Sequence, residues 1–274
     1  AWGVTGWLNS EVTSAGLDVL ASQQGSPDVL FHLAGGSSVG ASVAAPREDF
    51  ARTVVATAEL VEWLRTRAPA TRVVAASSAA VYGDGWDAPI PVTAAVRPCS
   101  PYGAHKAAME TMLAGHARSF GLRFAIVRLF SVYGPGLEKQ LLWDLCTRLA
   151  AGHAQITLGG TGDEVRDFVY ISDAARLLAN AAESAGVDCP VFNGGRGVEV
   201  SVRRLAEALI GAWPASVTLG FSGESRSGDP RRLVADVAAC GAIAPPQWVD
   251  LESGLALTVA AARARLGVRG PVPA

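Results

Sequence analysis

Short apolar runs alternate along this chain with longer stretches of helical periodicity. Val29-Leu30-Phe31-His32-Leu33-Ala34 is apolar around one histidine and stops at Gly35-Gly36. Val73-Val74-Ala75-Ala76 stops at Ser77-Ser78, and Phe124-Ala125-Ile126-Val127-Arg128-Leu129-Phe130 stops at Ser131. Runs this short and this continuous read as strands buried on both faces. Between the first two, residues 47–67 carry Phe50, Val54, Ala58, Val61 and Leu64 at helical spacing. Between the second and third, a loop rich in Gly, Asp and Pro precedes Ser100-Pro101. Ser100 suits an N-cap and Pro101 the first helical position, so a helix is expected to about Ser119, stopped by Gly121. Strand, helix, strand, helix predicts a parallel sheet covered on both faces, a doubly wound α/β fold. Ligands bind such sheets at the carboxyl ends of the strands, where Gly35, Ser78 and Ser131 fall.

Beyond Gly134-Pro135-Gly136 the pattern loosens. A helix is expected over residues 141–151, short strands over 155–158 and 168–171, and another helix opening at Ser172-Asp173. Residues 225–230 read as a polar loop between helical regions. The division expected is residues 1–136 as the sheet domain and residues 137–274 as a small α/β substrate lobe, interleaved with the sheet.

Composition narrows the class. The 274 residues are 50% hydrophobic and 18% charged, with a net charge of −2, so a large core is available. Neither a basic patch nor an apolar stretch of membrane-spanning length is visible, which excludes nucleic acid and membrane as expected partners. The four cysteines are scattered without a C-x-x-C pair, which points away from metal and disulfide frameworks and toward a reducing cytoplasm.

Candidate chemistry concentrates in Ser100-Pro101-Tyr102-Gly103-Ala104-His105-Lys106. Tyr102 and Lys106, four apart on a helix, share a face. A nearby cation favours the phenolate, so the expectation is that Lys106 lowers the Tyr102 pKa and makes it a usable acid or base. Ser78, ending the preceding strand, can hold the oxygen that gains or loses the proton. His105 and His32 read as structural, the latter as a satisfied core histidine; His116 and His153 show no partner pattern.

Five motifs in order carry a family resemblance: residues 28–35, Ser77-Ser78-Ala79-Ala80-Val81-Tyr82-Gly83, residues 100–106, Arg128-Leu129-Phe130-Ser131-Val132-Tyr133-Gly134-Pro135-Gly136, and Gly160-Thr161-Gly162 with residues 166–173. Together they resemble the extended short-chain dehydrogenase/reductase family, in its nucleotide-sugar epimerase and dehydratase branch. The resemblance implies a Rossmann-like fold, NAD as cofactor (NADP not excluded) and a nucleotide-diphosphate sugar as substrate. It implies a catalytic set of Ser78, Tyr102 and Lys106. It places Glu11, Val12, Leu33, Ala34, Gly35, Thr53 and Ser77 at the cofactor together with Tyr102 and Lys106. It places Ser78, Ser131, Lys139, Gln140, Arg166 and Arg226 at the substrate, the two arginines pairing with the diphosphate. It also implies a homodimer through a four-helix bundle built from residues 47–67 and 102–119.

The sequence departs from that family at its start. The expected strand, G-x-x-G-x-x-G turn and helix are not found; Gly3-Val4-Thr5-Gly6 lies too close to the strand at Val29. The alignment therefore places the family's third strand on residues 7–12 and the next helix on residues 14–24, and an upstream segment is expected in the native protein. Ala79-Ala80 stand in place of the Asp-Glu pair that resembles a 4,6-dehydratase signature, which disfavours dehydration because two alanines supply no acid–base pair. The reading is an NAD(P)-dependent nucleotide-sugar epimerase, acting at C4 through a transient 4-keto sugar. The alternatives are an NAD(P)H-dependent 4-ketoreductase of a 4-keto-6-deoxy sugar and a non-catalytic nucleotide-sugar-binding relative.

Overall fold

The structure is a computed structural model that describes residues 3–213, 216–224, 230–238 and 240–268. The chain opens as coil, then forms α1 (Ser14–Gln24), capped by the Thr13 hydroxyl accepting from Gly16 N–H, and β1 (Val29–His32). Three helical pieces follow: α2 (Val39–Ala44), α3 (Pro46–Phe50) and α4 (Ala56–Arg67), the last two joined by a π-helical turn over Ala51–Val55. Then come β2 (Arg72–Ser78), a 3₁₀ turn over Ala79–Tyr82, α5 (Pro101–Phe120) and β3 (Arg123–Leu129). The cap chemistry of α5 is as expected: Ser100 Oγ accepts from Gly103 N–H at 3.2 Å, Pro101 opens the helix and Gly121 closes it at φ 68°.

The second half comprises β4 (Ser131–Tyr133), α6 (Gln140–Ala150), β5 (Gln155–Leu158), β6 (Val165–Arg166), β7 (Phe168–Tyr170) and α7 (Ile171–Ala181). It continues through β8 (Val191–Gly194), β9 (Val200–Ser201), α8 (Val202–Gly211), β10 (Thr218–Phe221), β11 (Arg232–Leu233) and α9 (Leu251–Arg265).

The main sheet is parallel throughout, in the order β1-β2-β3-β8. Its two faces bury alternate residues of the same strands, as the period of a strand requires. Val73, Ala75, Phe124 and Ile126 pack with Leu60, Trp63, Leu64, Met109 and Leu113 of α4 and α5. Val74, Ala125 and Val127 pack on the opposite face with Leu177 and Leu178 of α7. A third core gathers α6, α8 and α9 around Leu145, Ile156, Leu205, Leu209, Leu255 and Val259. Strand β8 leads the chain from this region back into the main sheet beside β3. No helix among the described residues is long and apolar enough to cross a membrane.

Two sequence expectations need correction. Residues 7–12 form no strand. Among the described residues no neighbouring strand offers them a ladder, and Trp7 is 79% exposed rather than packed. The stripe expected over residues 47–67 holds only in part: Val54, Val61 and Leu64 are buried, whereas Phe50 and Ala58 are exposed. The π-helical turn is the reason. A wider turn rotates everything before it relative to everything after it, so no single 3.6-residue stripe runs through both halves.

Candidate active site

Strand β2 ends in two serines that face opposite ways. Ser77 points down and donates to Glu110 Oε1 at 2.5 Å; its hydroxyl is committed there. Ser78 points up: its Oγ accepts from Ala80 N–H at 3.2 Å, capping the 3₁₀ turn, and hydrogen-bonds the Tyr102 phenol. Tyr102 stands in the first turn of α5, whose end is tied down by the Tyr102 N–H donating to Ser42 Oγ of α2 at 3.0 Å. Gly103 lets α5 approach this closely, since a Cβ there would press on the Ala80 carbonyl.

One turn on, Lys106 is 4% exposed and donates from Nζ to the Ala76 carbonyl of β2 at 2.9 Å. Across from it, Gly35 lies at φ 145°, a conformation that favours glycine, and a Cβ there would meet Lys106 Nζ at 3.1 Å and Thr53 Oγ1 at 3.3 Å. Thr53 Oγ1 accepts from Gly36 N–H at 2.8 Å, held there by the π-helical turn. Thus the carboxyl ends of β1 and β2, Thr53, and the tyrosine, lysine and serine meet in one place.

The electrostatics differ from expectation. Burial holds the Tyr102 phenol above its ordinary range; the Ser78 hydrogen bond pulls it part of the way back, and the Asp49 carboxylate adds to the rise. Burial depresses Lys106 to about 8, against the opposing pull of Asp49 and Glu110. The expected lowering of the Tyr102 pKa by Lys106 is therefore reversed in this chain, because burial and a nearby carboxylate outweigh the cation.

Below the site lies a buried ion pair that sequence reasoning missed. Arg128 donates to Glu110 through Nε at 3.0 Å and Nη2 at 2.7 Å, and through Nη1 to Tyr82 Oη at 2.9 Å and Val92 O at 3.1 Å. Tyr82 in turn donates to Asn193 Oδ1 at 2.6 Å. His32 is a satisfied core histidine: Nε2 lies 3.0 Å from Thr57 Oγ1, whose own proton goes to Thr53 O, so the imidazole donates. Burial and Lys106 lower it to about 4, which keeps it neutral. His105, expected to be merely structural, lies 2.5 Å through Nδ1 from the Asp49 carboxylate. A polar residue at that helix position was visible in the sequence; its partner 56 residues away was not.

The remaining expected residues scatter. Glu11 is exposed just before the cap of α1, and Val12 packs partly against the core under α4 and α5. Leu33 is 58% exposed and Ala34 half-buried on the loop leading to Gly35. Ser131 opens β4, its N–H donating to Asp167 O at 2.9 Å. Lys139 is exposed ahead of α6. Gln140 adopts φ 66°, unusual for a residue with a side chain, and donates from Nε2 to Ser37 O at 3.3 Å, tying α6 to the loop after Gly36. Gln140 also lines a cleft of about 480 Å³ with Asp144, Arg148, Gly160, Glu164 and Arg231. Arg166 is half-buried in β6. Arg226 lies outside the described residues.

Comparison with known proteins places this geometry. Residues 10–195 match the NAD dependent epimerase/dehydratase family. A UDP-glucose 4-epimerase of Mycolicibacterium smegmatis is 32% identical over 92% of this chain and 81% of its own length. The structure of a UDP-glucose 4-epimerase from Thermotoga maritima, solved with UDP-glucose, superposes with a TM-score of 0.82 at 28% identity, covering 95% of this chain and 84% of that one. A dTDP-glucose 4,6-dehydratase from Streptomyces venezuelae, solved with NAD bound, gives a TM-score of 0.83 at 27% identity, covering 94% and 79%. With its parallel sheet, its tyrosine–lysine helix and these relatives, the chain belongs to the NAD-dependent epimerase/dehydratase family, as an enzyme that uses NAD and acts on nucleotide sugars.

Proposed function

We propose that this enzyme epimerises a nucleoside-diphosphate sugar at C4, with UDP-glucose the first substrate to test. The observation that carries the reading is the convergence of Ser78, Tyr102 and Lys106, with Ala79 and Ala80 immediately after Ser78. Oxidation and reduction at one carbinol carbon need one proton acceptor and donor, which Tyr102 supplies. Dehydration needs a further acid–base pair, and the 3₁₀ turn after Ser78 begins with two alanines.

The residues fit the cofactor on steric grounds. Gly35 and Gly36 leave backbone without side chains beside the Lys106 ammonium and the Thr53 hydroxyl, an opening that a Cβ at Gly35 would narrow. Gly35, Thr53 and Lys106 would hold the cofactor there. Bound NAD supplies a reversible two-electron acceptor. Tyr102 takes the C4 hydroxyl proton and later returns it. Ser78 is aimed at the same oxygen, its lone pair already engaged by Ala80 N–H so that its proton faces the phenol oxygen. Lys106, fixed by Ala76 O, keeps a cation beside the site. The cleft lined by Gln140, Arg148 and Arg231 receives the nucleotide diphosphate, whose charge the guanidiniums match. Turning the 4-keto sugar within the site before reduction gives the epimer.

The test is turnover of UDP-glucose, resolved by product chromatography, in wild type and in Tyr102→Phe. The variant should lose about 10²-fold or more in kcat while binding the sugar nucleotide nearly as well. Equal turnover in the variant would remove Tyr102 from the chemistry. We further read the outward stripe Ala104, Ala108, Thr111 and Gly115 of α5, beside Val55 and Ala58 of α4, as the face for a second copy; light scattering showing a monomer would reject it.

A further inference from the structure

Asp49 is almost fully buried, yet no cation of its own helix reaches it: Arg52 pairs with Glu48 at 2.6 Å on the exposed side. The carboxylate is instead wedged between two elements of the site. On one side it lies against Gly36, where any Cβ would overlap Oδ1. On the other, Oδ2 is 2.5 Å from Nδ1 of His105, which the edge of Phe50 holds at a ring separation of 5.4 Å. The charged and titratable groups facing this pair are Tyr102, Lys106 and Glu110 on α5 and His32 on β1; α2, packed on the same side, carries no titratable side chain.

We propose that Asp49 and His105 are positioning residues that set the charge balance of the Tyr102–Lys106 couple. Asp49 is the fixed anion that keeps Lys106 an ammonium and Tyr102 a protonated phenol at rest. His105 clamps that anion and cancels it on taking up a proton. The direction follows from Coulomb's law: a carboxylate favours the ammonium and disfavours the phenolate, and Asp49 acts in both those directions here. Imidazoles titrate between pH 5 and 8, so the cancellation falls where an enzyme of this kind works. This rests on the reading of Tyr102 as the acid–base group, but its first test does not need turnover.

The chain has four tyrosines, so subtracting the alkaline absorbance titration of each protein's Tyr102→Phe counterpart isolates Tyr102. In Asp49→Asn the Tyr102 titration should move to lower pH; an unmoved titration in the folded variant overturns the proposal. Asp49→Ser, which also clears Gly36, serves if the amide is not accommodated. In His105→Gln the carboxylate remains and the imidazole is already neutral at alkaline pH, so the titration should stay in place; movement like that of Asp49→Asn would mean lost packing rather than lost charge and would overturn it. Kinetics then give opposite signs. The ratio of kcat/KM at pH 5.5 to that at pH 8 should rise about threefold in Asp49→Asn and fall about threefold in His105→Gln, the effect of half a pH unit on one limb. Both ratios falling together would overturn the charge account. Absence of epimerase turnover in every protein would sink the functional reading, while the absorbance titration still decides the pair.

Discussion

Replacing Glu110 by Gln tests the energetics under the site most directly. Glu110 and Arg128 are 8% and 6% exposed, and the guanidinium spends both Nε and Nη2 on the carboxylate, at 3.0 and 2.7 Å. The Ser77 hydroxyl donates to the same carboxylate at 2.5 Å. The amide keeps the volume but removes the negative charge and turns one acceptor into a donor facing other donors. Arg128 cannot lose its proton to escape, since Glu110 and Tyr82 hold its pKa above even the ordinary arginine value despite burial. Breaking one partner of a buried pair costs about 3–5 kcal/mol, because the survivor's charge stays desolvated. Urea unfolding should show that loss in Glu110→Gln. The double variant Glu110→Met with Arg128→Met should be milder than either single, since an apolar pair leaves no orphaned charge. A loss under about 1 kcal/mol in Glu110→Gln, the range of an exposed pair, would refute the account; so would a double variant as damaging as the two singles summed.

Three further expectations follow from the same packing. Lys106 is depressed to about 8 in the fold from 10.5, so between those values only the unfolded chain holds the proton and stability should rise with pH; denaturation from pH 8 to 10.5 should be flatter in Lys106→Met, and parallel curves would exclude the effect. His32 is depressed to about 4 from 6.5, so stability should be lost on acidification through that window, by about 3 kcal/mol in total, and His32→Gln should show less of this loss. Gly36→Ala drives a Cβ into the Asp49 carboxylate and should cost about 1–3 kcal/mol and lower kcat; an unchanged unfolding midpoint would show that Asp49 can swing clear.

The sequence by itself determined the strands, the catalytic helix and their order, because those rest on local signals. Continuous apolar runs have no other stable home than a sheet covered on both sides. Ser100, Pro101 and Gly121 mark the ends of α5 by chemistry confined to a few residues. The pairing of Tyr102 with Lys106 on one face follows from helix geometry alone. What only the tertiary structure decided depends on residues distant in the chain. The π-helical turn at Ala51–Val55 turns Thr53 toward Gly36, and no apolar periodicity announces it. Residues 7–12 look like a strand in isolation, but a strand exists only with a partner, and the fold gives them none. The sign of the Tyr102 shift was also out of reach. A lysine four residues away argues for a more acidic phenol, yet burial and Asp49, 53 positions upstream of Tyr102, set the balance the other way. Local sequence specifies which groups reach the site; the dielectric and the charges that act on them are assembled only when the chain closes around them.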